Sequence, residues 1–437
     1  MIKKIFPFFL IFCLANFSSR SESQAVSRVA AATAGQRENP TDGLTLMDCY
    51  RLALRQSESV AIQQEALQAE EGRFLQALSG VLPRATYSVS ERRQDGRSGS
   101  NFTLEKVPEN KFVFSQPLFS GFREFAAIAA SRSEKREQIH AIQLAKQLLF
   151  TDVVEAFYLL LSYQGDLETI DEIRQALTER IEELRKRGEL GRSRRSEIVN
   201  AQARLSRVDA ERELVLSEAE VSRQLLEFLT GTSVPSVRET ETGFEPLGPE
   251  ENYLAKVDQR PDVLAAKESL DIAQKQITIA RAAFWPSAEI DGNYYTKRVG
   301  NSEGVDWDAT WQVDVPLFAG GENWGKLKEA RSLARQEELK FKEVQRNAAL
   351  NIRNAYTIFQ SATRREEATQ KMVLAMQENY QLQQEDYRTN LVNNLDVLQA
   401  LEDWHTAQRD LISVQRTVKQ SYWNLQAAIG EIPDDSR

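Results

Sequence analysis

The sequence predicts a mixed α and β membrane protein made of two tandem copies of one unit, each a β-hairpin running into long coiled-coil helices. Three observations predict it. Two intervals of more than a hundred residues, 118–234 and 317–432, contain no proline. Landmarks in the first interval recur 199 residues later. A short segment before each interval alternates apolar and polar residues in the manner of a strand.

Composition narrows the class before any motif is read. The chain has 437 residues, a net charge of -9, 41% hydrophobic residues, two Cys and two His. Its longest apolar run, Ile5 to Leu14, is too short for a transmembrane helix, which needs ~20 residues. An acidic chain is a poor partner for nucleic acid. With His140 and His405 the only histidines, His-based catalysis or a His-rich metal cage has almost no material. Both lie in helical stretches and read as helix-surface residues. The chain has no Gly-rich loop before a lysine, no CxxC and no HExxH, so no enzyme, cofactor or metal site is expected.

The N-terminus reads as an export signal. Lys3 and Lys4 precede the apolar run, and small polar residues follow it, with Ser23-Gln24-Ala25 the best cleavage site. Residues 1–23 are assigned to the signal and 24–43 to a flexible segment. Removal of the signal leaves Cys49 alone, so no internal disulfide can form.

The repeat sets the remaining boundaries. Pro117-Leu118-Phe119-Ser120-Gly121 aligns with Pro316-Leu317-Phe318-Ala319-Gly320, and the same offset carries Ala201 to Ala400 and Gly231 to Gly430. The first copy covers 44–235, with helices over about 44–79, 121–187 and 193–230. The second covers 250–433, with helices over about 250–283, 321–388 and 394–430. A linker at 236–249 holds Pro246, Gly248 and Pro249, and 434–437 form a tail. Heptad seams support the copies: Ile198, Leu205 and Leu226 in the first match Val397, Trp404 and Leu425 in the second.

The alternating segments give one hairpin per copy, over about 84–118 and 288–317. Tyr87 and Val89 face away from Ser88 and Ser90, and Trp311, Val313 and Val315 face away from Gln312 and Asp314. Strands of this length suit a bilayer, and equally a small soluble sheet capping a coil. In a membrane, four strands cannot close a barrel, because an open edge in lipid leaves backbone groups unpaired. Several chains must then share one barrel, two giving eight strands and three giving twelve. A helix over 121–187 would extend ~100 Å at 1.5 Å per residue, and the two shorter helices of each copy, end to end, match it.

These residues carry a resemblance. The junctions Gln116-Pro117-Leu118-Phe119-Ser120-Gly121 and Val315-Pro316-Leu317-Phe318-Ala319-Gly320-Gly321, the opening Leu44-Thr45-Leu46-Met47-Asp48-Cys49-Tyr50-Arg51-Leu52-Ala53-Leu54, and the turns Gly191-Arg192-Ser193-Arg194-Arg195-Ser196-Glu197-Ile198 and Asn390-Leu391-Val392-Asn393-Asn394-Leu395-Asp396-Val397 resemble the TolC family of outer-membrane efflux proteins. The likeness covers nearly all of 44–433.

The resemblance implies a homotrimer whose twelve strands form one outer-membrane barrel, continued by a helical tunnel across the periplasm. It implies a passive duct for tripartite efflux or type I secretion. Its partners would be outer-membrane lipid, a periplasmic adaptor (membrane fusion) protein and an inner-membrane pump of RND, ABC or MFS type. Pro117 and Pro316 would end the strand ladders, and Gly121, Gly320 and Gly321 would permit sharp entry to the helices.

By the same resemblance Glu197, Tyr387 and Asp396 belong to a periplasmic gate. Asn390 stands where the family has a glycine and Gln399 where it has a second acidic residue. Asp396 has a second reading, a charge at a helix N-terminus. The first turn is basic, with Arg185, Lys186, Arg187, Arg192, Arg194 and Arg195 close together. Gly191, Arg192, Arg194, Arg195, Asn390, Leu391 and Val392 are therefore assigned to an adaptor-docking tip, against the alternative of a solvated turn with cations near a helix C-terminus. The competing function is a periplasmic coiled-coil scaffold without a pore.

Overall fold

The computed structural model describes residues 43–95, 104–240, 246–300, 302–389 and 391–433. The signal (1–23), nearly all of the 24–43 segment, Asn390 and the 434–437 tail lie outside the described residues.

The chain from Leu44 onward forms eight α-helices and four strands among the described residues. The first copy holds α1 (Leu46–Gln56), α2 (Glu58–Ser79), β1 (Arg84–Arg93), β2 (Lys106–Ser120), α3 (Arg123–Glu189) and α4 (Arg195–Thr230). The second holds α5 (Glu250–Leu254), a 3-10 turn (Val257–Gln259), α6 (Pro261–Ala282), β3 (Ser287–Lys297), β4 (Trp307–Asp314), α7 (Glu322–Arg388) and α8 (Asn394–Ala428). Both α3 and α7 have 67 residues, ~100 Å of helix.

Two expected helices are broken, and each break has a local cause. The 44–79 helix divides at Ser57, whose backbone is extended (φ -65, ψ 111) and whose hydroxyl accepts from Val60 N at 3.3 Å. Ser57 thus ends α1 and caps α2. The 250–283 helix divides before Pro261. The ring forces Arg260 to extended backbone (φ -65, ψ 141), and Pro261 then serves as the first residue of α6.

The strands form one antiparallel sheet in the order β1-β2-β3-β4. Pro117 does not end its ladder: β2 runs on to Ser120, with an irregularity between Pro117 and Phe119. Proline survives there because β1 pairing stops at Ser115, so Pro117 faces only β3, opposite Glu289. In the second copy the ladder stops at Asp314, two residues before Pro316.

Helix packing gives the chain two open sides. Toward the sheet, α3 lies between α2 and α6, and α6 packs on α7. Toward the other end, α3 lies between α4 and α8, and α8 packs on α7. The lateral orders are therefore α2-α3-α6-α7 and α4-α3-α8-α7, with β1 and β4 at the sheet edges. The first-copy core sits mid-way along α3, where Phe150, Val153, Val154, Phe157 and Tyr158 are sealed by Tyr50 and Leu226. Trp423 of α8 closes it, its indole N–H donating to Tyr158 Oη at 3.1 Å.

Candidate functional sites: the sheet and the tip turns

Register separates the sheet into two chemically different faces. Phe112 lies opposite Tyr87 and Tyr294, Tyr294 opposite Trp307, Ile290 opposite Trp311 and Ala288 opposite Val313. Cross-strand partners share a face, so this side is aromatic and aliphatic, and its large side chains are exposed. The other side carries Thr86, Ser88, Lys111, Asn293, Tyr295, Asp308, Thr310 and Gln312, with Val107 and Val113 among its apolar exceptions. Its polar groups bind one another: Asn293 and Tyr295 donate to Asp308 at 2.8 and 2.7 Å, and Lys111 pairs with Glu109 at 3.1 Å. Arg298 lies over the Tyr295 ring at 4.0 Å. An apolar face without a covering layer and a wet face are what a strand needs between lipid and an aqueous lumen.

The junctions turn the chain from sheet to helix through left-handed backbone. Gly121, Gly320 and Gly321 have φ of 66, 58 and 91, and Phe122 also has a φ of 66. The repeat aligns Phe122 with Gly321, so the first copy places a phenylalanine where the second has glycine. At Gly121 space is also short: an added Cβ would lie 2.7 Å from the Ala282 carbonyl oxygen.

At the far end of α3 both inter-helix turns meet over one apolar cluster. Ile173, Leu177, Ile181 and Leu184 of α3 pack with Ala201 of α4, Tyr387 of α7, and Val397, Leu398 and Leu401 of α8. Tyr387 is buried with guanidinium groups near its ring, Arg180 at 4.0 Å and Arg187 at 4.4 Å. Burial pushes its phenol above the ordinary range against the pull of those two cations. Arg180 also donates to Asn394 Oδ1 at 2.9 Å and pairs with Glu183 at 2.6 Å.

The three gate candidates are not gathered by direct contacts. Glu197, in the first turn of α4, accepts from the Ser193 hydroxyl at 2.7 Å. Asp396 belongs to a capping box at the start of α8: its carboxylate accepts from Asn393 N at 3.0 Å, and its own N–H donates to Asn393 Oδ1 at 3.2 Å. The helix-terminus reading of Asp396 thus has a defined geometry.

The docking candidates are open to solvent. Gly191 has φ 71 with nothing near its absent side chain, and the Arg192 N–H donates to the Arg187 carbonyl at 2.8 Å, closing α3. Arg192, Arg194, Arg195 and Leu391 are exposed, Val392 is half-buried, and Asn390 lies outside the described residues. Among the described residues, Arg192, Arg194 and Arg195 make no ion pair, whereas Arg187 is drawn in to Tyr387 and Glu183. The sequence reading missed Arg180 as the organiser of this end, and Arg204, which pairs with Glu402 between α4 and α8. Only the heptad placement of their helices hinted at either. His405, read as a surface residue, is 3% exposed and lies between α8 and its neighbours.

Comparison with known proteins places this architecture. A model of the family described as outer membrane efflux protein matches residues 256–431. The outer membrane protein TolC of Vibrio cholerae serotype O1 is 22% identical over 74% of this chain and 76% of its own length. The chain is similar to the TolC family of outer membrane efflux proteins. The alkaline protease secretion protein AprF of Pseudomonas aeruginosa is 23% identical over 84% of this chain and 80% of its own. The solved outer membrane protein VceC from Vibrio cholerae superposes with a TM-score of 0.76 at 22% identity, covering 88% of this chain and 96% of that one.

These likenesses give the fold class and the address. The four strands are one chain's share of an outer-membrane barrel, and the long helices are its share of a tunnel in the periplasm. The protein is an outer-membrane duct of an export system. No helix of the described residues is long and apolar enough to cross a membrane, and the sheet takes that part.

Proposed function

We propose that three copies close side by side, edge on edge, and that the duct they form is passive, joined at its tip to a periplasmic adaptor and through it to an inner-membrane pump that supplies the energy. One observation carries the reading: the open edges of the sheet and of the helices fall on the same two sides of the chain. β1 and β4 have unpaired edges, and α2 with α4 faces one side while α7 faces the other. A backbone edge in lipid demands a partner. Exposed apolar residues lie on both sides as well, Leu214, Val221, Leu225 and Phe228 on α4, and Leu333, Leu339, Leu350 and Ile358 on α7. Docking α7 of one copy on α2 and α4 of the next would cover them and pair β4 with β1.

The tip turns supply the remaining parts. Arg192, Arg194 and Arg195, with Leu391 beside the second turn, form the surface an acidic and partly apolar adaptor tip would fit. Glu197, Tyr387 and Asp396 act as a gate through different means. Tyr387 locks α7 to α3, and the carboxylates put negative charge at the mouth, three times over in a trimer. No step in this reading breaks or forms a covalent bond, so the protein works as a conduit and not as an enzyme.

Planar-bilayer recording of the purified oligomer tests the reading. Discrete conductance steps from the intact oligomer are expected. A protein that assembles yet never conducts, under any voltage or pH, would favour the scaffold without a pore.

A further inference from the structure

His405 occupies a position that neither the barrel nor the tip turns account for. Its imidazole is buried, and neither ring nitrogen has a hydrogen-bond partner among the described residues. It stacks on Trp404 at 5.0 Å, and Trp404 stacks on Tyr380 of α7 at 5.5 Å. The imidazole also lines a cavity of about 200 Å3 between α3, α4 and α8, walled by Ile173 and Leu177, Val208, and Leu398 and Leu401.

The charges around this cavity are already matched. From α4 come Arg204, Arg207 and Glu211, from α8 itself Glu402 and Arg409, and from α3 Asp166, while α7 presents Tyr380 through Trp404. Glu402 holds Arg204 and Arg207, and Arg409 is shared by Glu211 and Asp166. Three guanidinium groups thus meet three carboxylates. A proton on the imidazole would add a cation with no acidic partner, in a site that burial makes unfavourable to charge.

We propose that His405 is an acid-sensitive latch: neutral, it fastens α8 to α3 and α4, and on taking a proton it releases them and loosens the tip end of the helices. The proton adds to imidazole nitrogen and no other bond changes. Burial holds the His405 pKa down to about 4 from the ordinary 6.5, with only the neighbouring Gln408 side chain favouring the charged form. The open state takes its proton near the ordinary value. The latch is therefore at full strength above about 6.5 and weakens as pH falls from there toward about 4. Burial also raises Asp166, and a carboxyl that takes its proton more readily in the closed state favours that state in acid, so Asp166 opposes the release and the loosening is carried by His405. Proteins outside the cytoplasm meet the pH of the medium. The latch itself stands on the helices alone; its consequence, an acid-opened duct, rests on the function proposed above.

Hydrogen exchange on the full-length oligomer tests it, reading the backbone of residues 398–411 at pH 7.5 and pH 5 in wild type and His405→Gln. After normalising to intrinsic exchange, protection in wild type should fall by about tenfold at pH 5, within what a shift from 6.5 to about 4 allows. The Gln variant should hold within about twofold. If it does not assemble, His405→Phe fills the site, cannot take a proton and carries the same expectation. Unchanged protection in wild type, or an equal fall in wild type and the variant, overturns the latch. Conductance on the same samples separates the two claims: acid loosening with conductance unchanged by pH leaves the latch standing and overturns acid opening of the duct, whereas no conductance at either pH counts against the duct reading itself.

Discussion

Arg180 of α3 lies 4.0 Å from the centre of the Tyr387 ring of α7, two residues separated by 207 positions in sequence. Arg187 lies near the same ring at 4.4 Å, so the last turn of α7 is held by two cations from the outgoing helix of the other copy. Cation–π contacts of this kind contribute ~0.5–2 kcal/mol each, more where water is excluded. The contact depends on the ring and not on the hydroxyl, for which no hydrogen bond is found among the described residues.

Tyr387→Phe should therefore leave thermal stability and conductance close to wild type. Tyr387→Ala should destabilise the tip by ~3–5 kcal/mol, the usual cost of emptying a buried aromatic site, and lengthen open times in a bilayer. Equal effects of the two substitutions would mean that the hydroxyl, not the packed ring, closes the gate.

Asp396 joins two possible roles in one carboxylate, and two variants part them. Asp396→Asn removes the charge but keeps an oxygen able to accept from Asn393 N. Its melting should stay within ~0.5 kcal/mol of wild type while cation preference in single channels falls. Asp396→Ala removes the cap as well and should cost ~1 kcal/mol. Unchanged ion selectivity in both variants would leave Asp396 as a helix cap alone.

Reversing charge at Arg194 and Arg195 removes unpaired cations from an exposed turn. The oligomer should assemble with unaltered melting, and crosslinking to its adaptor in intact cells should drop severalfold. Full crosslinking and export in the double Glu variant would move the docking surface elsewhere.

The two junctions offer a matched pair of substitutions. Gly121 and Gly320 both have positive φ, so alanine at either pays ~1–2 kcal/mol of backbone strain. Only at Gly121 does the new Cβ also press on the Ala282 carbonyl oxygen, since nothing lies near Gly320. Gly121→Ala should melt clearly below Gly320→Ala. The reverse order would show that the Gly121 backbone yields at little cost.

Much of this architecture is legible in the sequence, because proline, glycine and heptad periods act locally. Pro117 and Pro316 marked the two copies, Gly121 and Gly320 the entries to α3 and α7, and Ala201 and Val397 the buried seam. What escaped was of two kinds. Local signals were overridden by neighbours: Ser57 reads as an ordinary mid-helix residue until its hydroxyl caps α2, and Pro117 stays in a strand because it lacks a β1 partner. Pairings across copies left no periodic trace. Arg180 with Tyr387, Arg204 with Glu402 and the enclosure of His405 depend on how α3, α4, α7 and α8 are brought together, which spacing along one helix does not encode.

The central claim is that three chains share one barrel and one tunnel. Native mass measurement on the protein extracted from the outer-membrane fraction tests it most directly. The account predicts a species of three processed chains that resists detergent and separates to single chains on boiling. A monomer, a dimer, or recovery of the protein in the soluble periplasmic fraction would contradict it.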